Sequence, residues 1–160
     1  MSVLLSILKL VPARTAYAHC DIPCGIYDVQ ALQMAAHTVI RMTGMLSELK
    51  REDETKAEHD VARIVHVKEE HGGIVEKELG TLENDYFKPE HHEKYPELKD
   101  LISSAVKLSV KVRQNIDKES ADKLLDASQR IAEIFYKTKN FEPLRAPSGY
   151  PTGGEIVMHK

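Results

Sequence analysis

Apolar residues recur at intervals of three and four in four stretches of this chain, which is the spacing of one face of an α-helix. The stretches lie at 28–49, 61–82, 98–116 and 120–135. None of them shows the strict alternation of a half-buried strand. Four amphipathic helices joined by polar connections predict an all-α fold, an antiparallel up-down four-helix bundle over residues 28–140.

The last segment, residues 141–160, has a different composition. Three prolines and three glycines interrupt it, and no helical spacing continues through it. Such a terminus is expected to be poorly ordered. The sequence therefore predicts a flexible C-terminal tail.

Length and charge exclude several classes of protein. The chain has 160 residues, which favours one domain. Its formal net charge of -3 gives no general attraction to nucleic acid or to anionic lipid. No apolar run approaches the roughly 20 residues that a membrane-spanning helix needs. We therefore expect neither nucleic acid nor a membrane as a partner.

The first 18 residues have the features of a removable leader. A short apolar run is followed by the sequence "AYA", a small-x-small ending of the kind that signal-type peptidases accept. Cleavage after Ala18 would leave His19 as the first residue, and the alternative is an ordinary flexible N-terminus. The run has no basic segment before it, which favours processing in the cytoplasm, with export as the alternative.

Both cysteines of the chain, Cys20 and Cys24, follow directly. With His19 as the first residue, its amine, the Cys20 backbone nitrogen and the Cys20 thiolate are consecutive donors that can form fused chelate rings. Cys24 can close a square, since Pro23 and Gly25 favour a turn. Square-planar donors suit Ni(II) or Cu(II), whereas zinc prefers a tetrahedron. The spacing alone also leaves a short-loop disulfide or two inert thiols open.

Two segments resemble one known family. "HCDIPCGIYD" (19–28) is similar to the nickel hook of the nickel-containing superoxide dismutases, and "DYFKPEHHEKYPEL" (85–98) resembles their second signature. The resemblance covers residues 19 to about 140. It implies a hook at 19–27 that holds one nickel ion per subunit and disproportionates superoxide by Ni(II)/Ni(III) cycling.

The resemblance also implies the metal ligands. His19 would bind nickel through its amine and, in the oxidised state, through its imidazole. Cys20 would bind through its backbone nitrogen and its sulfur, and Cys24 through its sulfur. Pro23, through a cis bond, and Gly25 would shape the hook.

Four further residues would act on the approach of superoxide. The resemblance implies that Asp21 and Tyr27 line this approach and that Tyr86 hydrogen-bonds near Tyr27. Lys88 would place positive charge near the entry for the anionic substrate.

Two positions depart from the family pattern. The family orients its axial imidazole with a glutamate and an arginine, and Ala35 and His71 occupy those places here. Either His71 takes over part of this role, or backbone or water holds the imidazole.

The resemblance further implies a homohexamer, and a maturation peptidase that removes residues 1–18. A different class of function remains open from the donor set, a non-catalytic helical protein that binds or delivers nickel or copper. A helical interaction protein with a Cys20–Cys24 disulfide is a third interpretation.

Overall fold

The computed structural model describes residues 24–160. The bounds of its elements in this range are α1 Gln30–Ser47, α2 Glu54–Thr81, α3 Pro89–Lys94, α4 Leu98–Gln114, α5 Lys118–Thr138, β1 Pro143–Pro147 and β2 Glu155–His159. One π-helical turn, Leu82–Tyr86, follows α2 directly. None of the helices in this part of the chain is long and apolar enough to cross a membrane.

The four long helices form the predicted bundle. α1 packs against α2 and α5, and α4 packs against the same two helices, so the four surround one core. Aliphatic side chains dominate this core, because each helix turns its apolar face inward. The largest fully buried apolar side chains are those of Phe135, Leu32, Leu79, Leu82, Leu98, Leu124 and Ile131. The helical-bundle prediction is confirmed.

Side chains of aspartate mark where two of the long helices begin. Asp53 accepts a hydrogen bond from the Lys56 amide at the start of α2, and Asp117 accepts one from the Ser120 amide at the start of α5. These bonds satisfy backbone N–H groups that have no partner within the helix. α1 differs slightly, since Asp28 lies one residue before its N-cap and accepts from the Gln30 amide.

α2 passes without interruption through Gly72 and Gly73, where it approaches α4 closely. A Cβ atom on Gly72 would lie 2.5 Å from Cγ of Arg113, whereas one on Gly73 would meet nothing within 4 Å. The Arg113 guanidinium bonds Glu69 and Glu76 across this contact. Gly72 is therefore required by packing, and Gly73 is not.

We expect Gly72→Ala to lower the free energy of unfolding by about 1–3 kcal/mol, because the Arg113 stem must shift and its ion pairs with it. Gly73→Ala is the matched control and should raise stability by roughly 0.5–1 kcal/mol through helix propensity. Urea unfolding of both variants measures the difference. Equal effects of the two substitutions would contradict the close approach.

The C-terminal segment is not a flexible tail, so that prediction is wrong. β1 and β2 pair antiparallel, with Leu144 opposite Met158, and Val157 is fully buried. The glycines occupy the connecting loop, where Gly149, Gly153 and Gly154 have φ of 70°, 66° and 73°. Glycine adopts these angles without strain. The composition that indicated disorder is therefore the composition of the hairpin and its connecting loop, residues 148–154.

Polar side chains of α1 hold this hairpin on the bundle. The buried Gln33 amide donates to the Val157 carbonyl at 3.0 Å and accepts from the Val157 amide at 2.7 Å. The buried His37 ring bonds Thr152 and the Glu155 carbonyl. Gln33 thus pairs with β2 as a neighbouring strand would.

Candidate metal centre

Cys24 lies in a segment without regular secondary structure that leads into α1. Its side chain is exposed, and the Ile26 amide donates to its Sγ at 3.4 Å. Gly25 has φ of 70°, a conformation that other residues rarely adopt. The backbone beside the thiol therefore has a conformation that favours glycine.

The other hook residues lie outside the part that the structure describes. These are His19, Cys20, Asp21 and Pro23. Within residues 24–160, no group of three or more His, Cys, Asp or Glu side chains could hold a metal ion. The Cys24 thiol fits a nickel ligand, because it is a soft donor, is accessible, and receives a backbone hydrogen bond that stabilises its thiolate.

Tyr27 and Tyr86 are brought together as a ring contact, while the hydrogen bond of the Tyr86 hydroxyl goes to Thr138. Their ring centroids lie 5.4 Å apart. Tyr86 belongs to the π-helical turn and also packs on Phe135 at 4.7 Å and on His91 at 5.7 Å. Burial raises the pKa of the Tyr86 phenol, so the hydroxyl keeps its proton at neutral pH. π-helical turns are frequent at functional sites.

Lys88 sits at the edge of the same turn. Its side chain is exposed, and its ammonium donates to the Asp85 carbonyl at 2.7 Å. Its backbone amide donates to the His91 ring at 3.1 Å. The positive charge is therefore held on the surface close to Tyr86.

The end of α5 contributes two residues that the sequence did not reveal. Lys139 donates to the Tyr27 carbonyl at 3.1 Å, and its ammonium lies 4.5 Å from the Phe135 ring centroid and 5.6 Å from that of Tyr86. Thr138 bonds the Tyr86 hydroxyl at 2.7 Å. Lysine is common at helix C-termini, because its positive charge interacts favourably with the helix dipole. The position of Lys139 in the sequence therefore did not indicate a role at the site.

Ala35 and His71 lie in different surroundings. Ala35 is buried in the core, and its side chain has no polar atom. His71 is half-buried, and its Nδ1 bonds the Val67 carbonyl of its own helix at 2.9 Å. At about 1.5 Å per residue, His71 lies about 16 Å along α2 from the π-helical turn. Its suggested contact with the His19 imidazole stays a prediction.

Comparison with known proteins identifies the family. The model of the family described as nickel-containing superoxide dismutase matches residues 14–139. Two relatives named superoxide dismutase [Ni] align over 128 residues, which are 80% of this chain and 93% of each relative. The protein of Streptomyces seoulensis is 34% identical, and that of Streptomyces coelicolor is 33% identical.

Solved structures agree with this match. The chain is similar to a native nickel superoxide dismutase structure with a TM-score of 0.67 and 31% identity, over 76% of this chain and 99% of that one. A crystal structure with nickel ligation of the oxidised state gives the same TM-score and coverage at 33% identity. The chain therefore belongs to the nickel-containing superoxide dismutase family, which makes it an oxidoreductase with a nickel cofactor.

Proposed function

We propose that the mature chain begins at His19 and disproportionates superoxide at the hook, residues 19–27. Two superoxide anions and two protons give dioxygen and hydrogen peroxide. Family membership supports this function, and the observation that carries it to a site is the exposed Cys24 thiol next to the positive-φ Gly25, three residues before Tyr27 of the Tyr27–Tyr86 pair.

His19, Cys20 and Cys24 would hold one nickel ion per chain. When bound, nickel supplies one-electron chemistry by alternating between Ni(II) and Ni(III). The thiolates and the deprotonated Cys20 amide are electron-rich donors that favour the higher oxidation state. The amide of Ile26 donates to the Cys24 sulfur and so stabilises its charge.

The remaining residues act on the substrate and on the shape of the hook. Asp21, Tyr27 and Tyr86 would line the approach. Lys88 would attract the anion, a local effect against the net charge of -3 of the whole chain. Pro23 and Gly25 would shape the turn, and the φ of 70° at Gly25 supports that role.

Superoxide consumption by the processed, nickel-loaded protein tests this function. Rapid disproportionation is the expected result. A protein that binds nickel without consuming superoxide would instead be a metal-binding or delivery protein, and the dismutase proposal would fail.

Maturation and assembly are part of the same proposal. A peptidase would remove residues 1–18 in the cytoplasm, with export as the alternative, and the mature chains would form a homohexamer. The "AYA" ending supports cleavage. Family membership supports the assembly.

Lys139 provides a charge-specific prediction. Lys139→Met should lower kcat/KM for superoxide by about tenfold and weaken its dependence on ionic strength. The substitution removes the hydrogen bond from the Lys139 ammonium to the Tyr27 carbonyl. It also removes a positive charge near the approach of superoxide. Stopped-flow kinetics at several salt concentrations measure both quantities.

Lys137→Met is the matched control. It removes the same charge from an exposed position in the last turn of α5, and we expect less than about a twofold change because exposed charges are screened. Equal losses in the two variants would show that only net charge matters.

A further inference from the structure

The hydroxyl of Tyr86 is the start of a short hydrogen-bond chain with a fixed direction. It lies 2.7 Å from Oγ1 of Thr138, which lies 2.6 Å from the Phe135 carbonyl oxygen. A carbonyl can only accept, so the single Thr138 proton goes to Phe135. Thr138 therefore accepts from Tyr86, and the Tyr86 proton points toward α5.

Four aromatic rings pack around the half-buried ring of Tyr86 and hold its orientation. Phe135, Phe87 and Tyr27 pack around it at centroid distances of 4.7, 5.2 and 5.4 Å, and His91 stacks on it at 5.7 Å. The ring cannot turn away from Thr138 without breaking these contacts. The one freedom left to the phenol is rotation of its O–H about the C–O bond, and the bond to Thr138 removes it.

A hydroxyl held in this way has an asymmetric chemistry. The Tyr86 hydroxyl donates its proton to Thr138 of α5, and the lone pairs of its oxygen can only accept hydrogen bonds. A water molecule or a protonated species that reaches Tyr86 finds an acceptor. A small anion finds no donor there, although a free phenol would donate to it strongly.

We infer that Thr138 is a positioning residue that makes Tyr86 an acceptor, and thereby prevents Tyr86 from holding anions at the substrate approach. This inference deepens the proposed function and rests on it, because the approach is that of superoxide. Superoxide and competing anions would then pass the tyrosine pair without being retained, and neutral hydrogen peroxide could donate to Tyr86 as it leaves.

Thr138→Val removes the acceptor at nearly constant volume, and the probe is azide. With its hydroxyl released, Tyr86 should donate to the anion, and the affinity of the processed, nickel-loaded protein for azide should rise at least about tenfold, which is close to the lower end of the effect of a hydrogen bond to a charged group. Absorption titration measures this affinity without turnover. Thr138→Ser should restore wild-type affinity, and Tyr86→Phe in the Thr138→Val background should abolish the gain.

A second readout needs neither nickel nor turnover. The tyrosine bands in the Raman spectrum report whether a phenol donates or accepts, and the Tyr86 contribution is the difference between each protein and its Tyr86→Phe counterpart. We expect a donor signature in the wild type and in Thr138→Ser, and its loss in Thr138→Val. Thr43→Val, which removes a similar helix bond to Val39 at 2.8 Å, should change neither readout.

Several results would overturn the inference. Unchanged azide affinity in Thr138→Val, an equal gain with Phe at position 86, or an unchanged Tyr86 signature would each do so. Failure of the proposed function looks different: the wild-type protein would consume no superoxide, while the Raman comparison would still decide the direction of the Tyr86 hydroxyl.

Discussion

Cys24→Ser is expected to abolish nickel binding and superoxide turnover together. A serine hydroxyl stays protonated at neutral pH and is a hard donor, so one thiolate ligand is lost outright. The loss of activity should exceed the roughly 10–100-fold effect of removing a group that only supports a ligand. Nickel per chain and superoxide consumption, measured on the same processed sample, test both parts.

The fold should survive this substitution, because Cys24 is exposed and lies outside every helix. We expect a change in unfolding free energy within about 0.5 kcal/mol. Ile26→Ser is the matched control, since Ile26 is 76% exposed and two residues away. This substitution keeps the hydrogen bond from the main-chain amide of residue 26 to the Cys24 sulfur. Full nickel content in Cys24→Ser would contradict the assigned ligand.

Gln33→Leu is expected to have the largest effect on stability. The change leaves the amide and the carbonyl of Val157 buried without their Gln33 partners, and each unsatisfied group costs about 1–3 kcal/mol. We therefore expect a loss of about 2–5 kcal/mol, limited by release of the hairpin from α1. Urea unfolding measures the loss, and amide exchange at Val157 locates it.

Gln114→Leu makes the same chemical change at the exposed end of α4 and serves as the control. It should leave stability within about 0.5 kcal/mol. Exchange at Val157 that remains as slow in Gln33→Leu as in the wild type would show that Gln33 does not hold the hairpin.

The helices were predictable, and the hairpin was not, for a physical reason. Helical periodicity is local, so the apolar stripes of α1, α2, α4 and α5 can be read from each segment alone. The hairpin is held by Gln33, which is 124 residues from Val157. Nothing within 141–160 reveals that partner, and its prolines and glycines suit a loop as well as a disordered tail. The hairpin also lies beyond the family match at residues 14–139.

The candidate site divides in the same way. The two family-like motifs contain Tyr27 and Tyr86, and the structure brings their rings together. Thr138 and Lys139 belong to neither motif. Thr138 bonds Tyr86, 52 residues away, and Lys139 bonds the Tyr27 carbonyl, 112 residues away. The folded packing of the end of α5 beside these tyrosines creates both contacts.

The most direct test of the proposed nickel site is the intact mass of the active protein from its native host, measured with its nickel content. We expect a chain that starts at His19 and carries about one nickel ion, because the His19 amine can bind metal only after residues 1–18 are removed. A superoxide-consuming protein that still carries those residues would contradict this expectation.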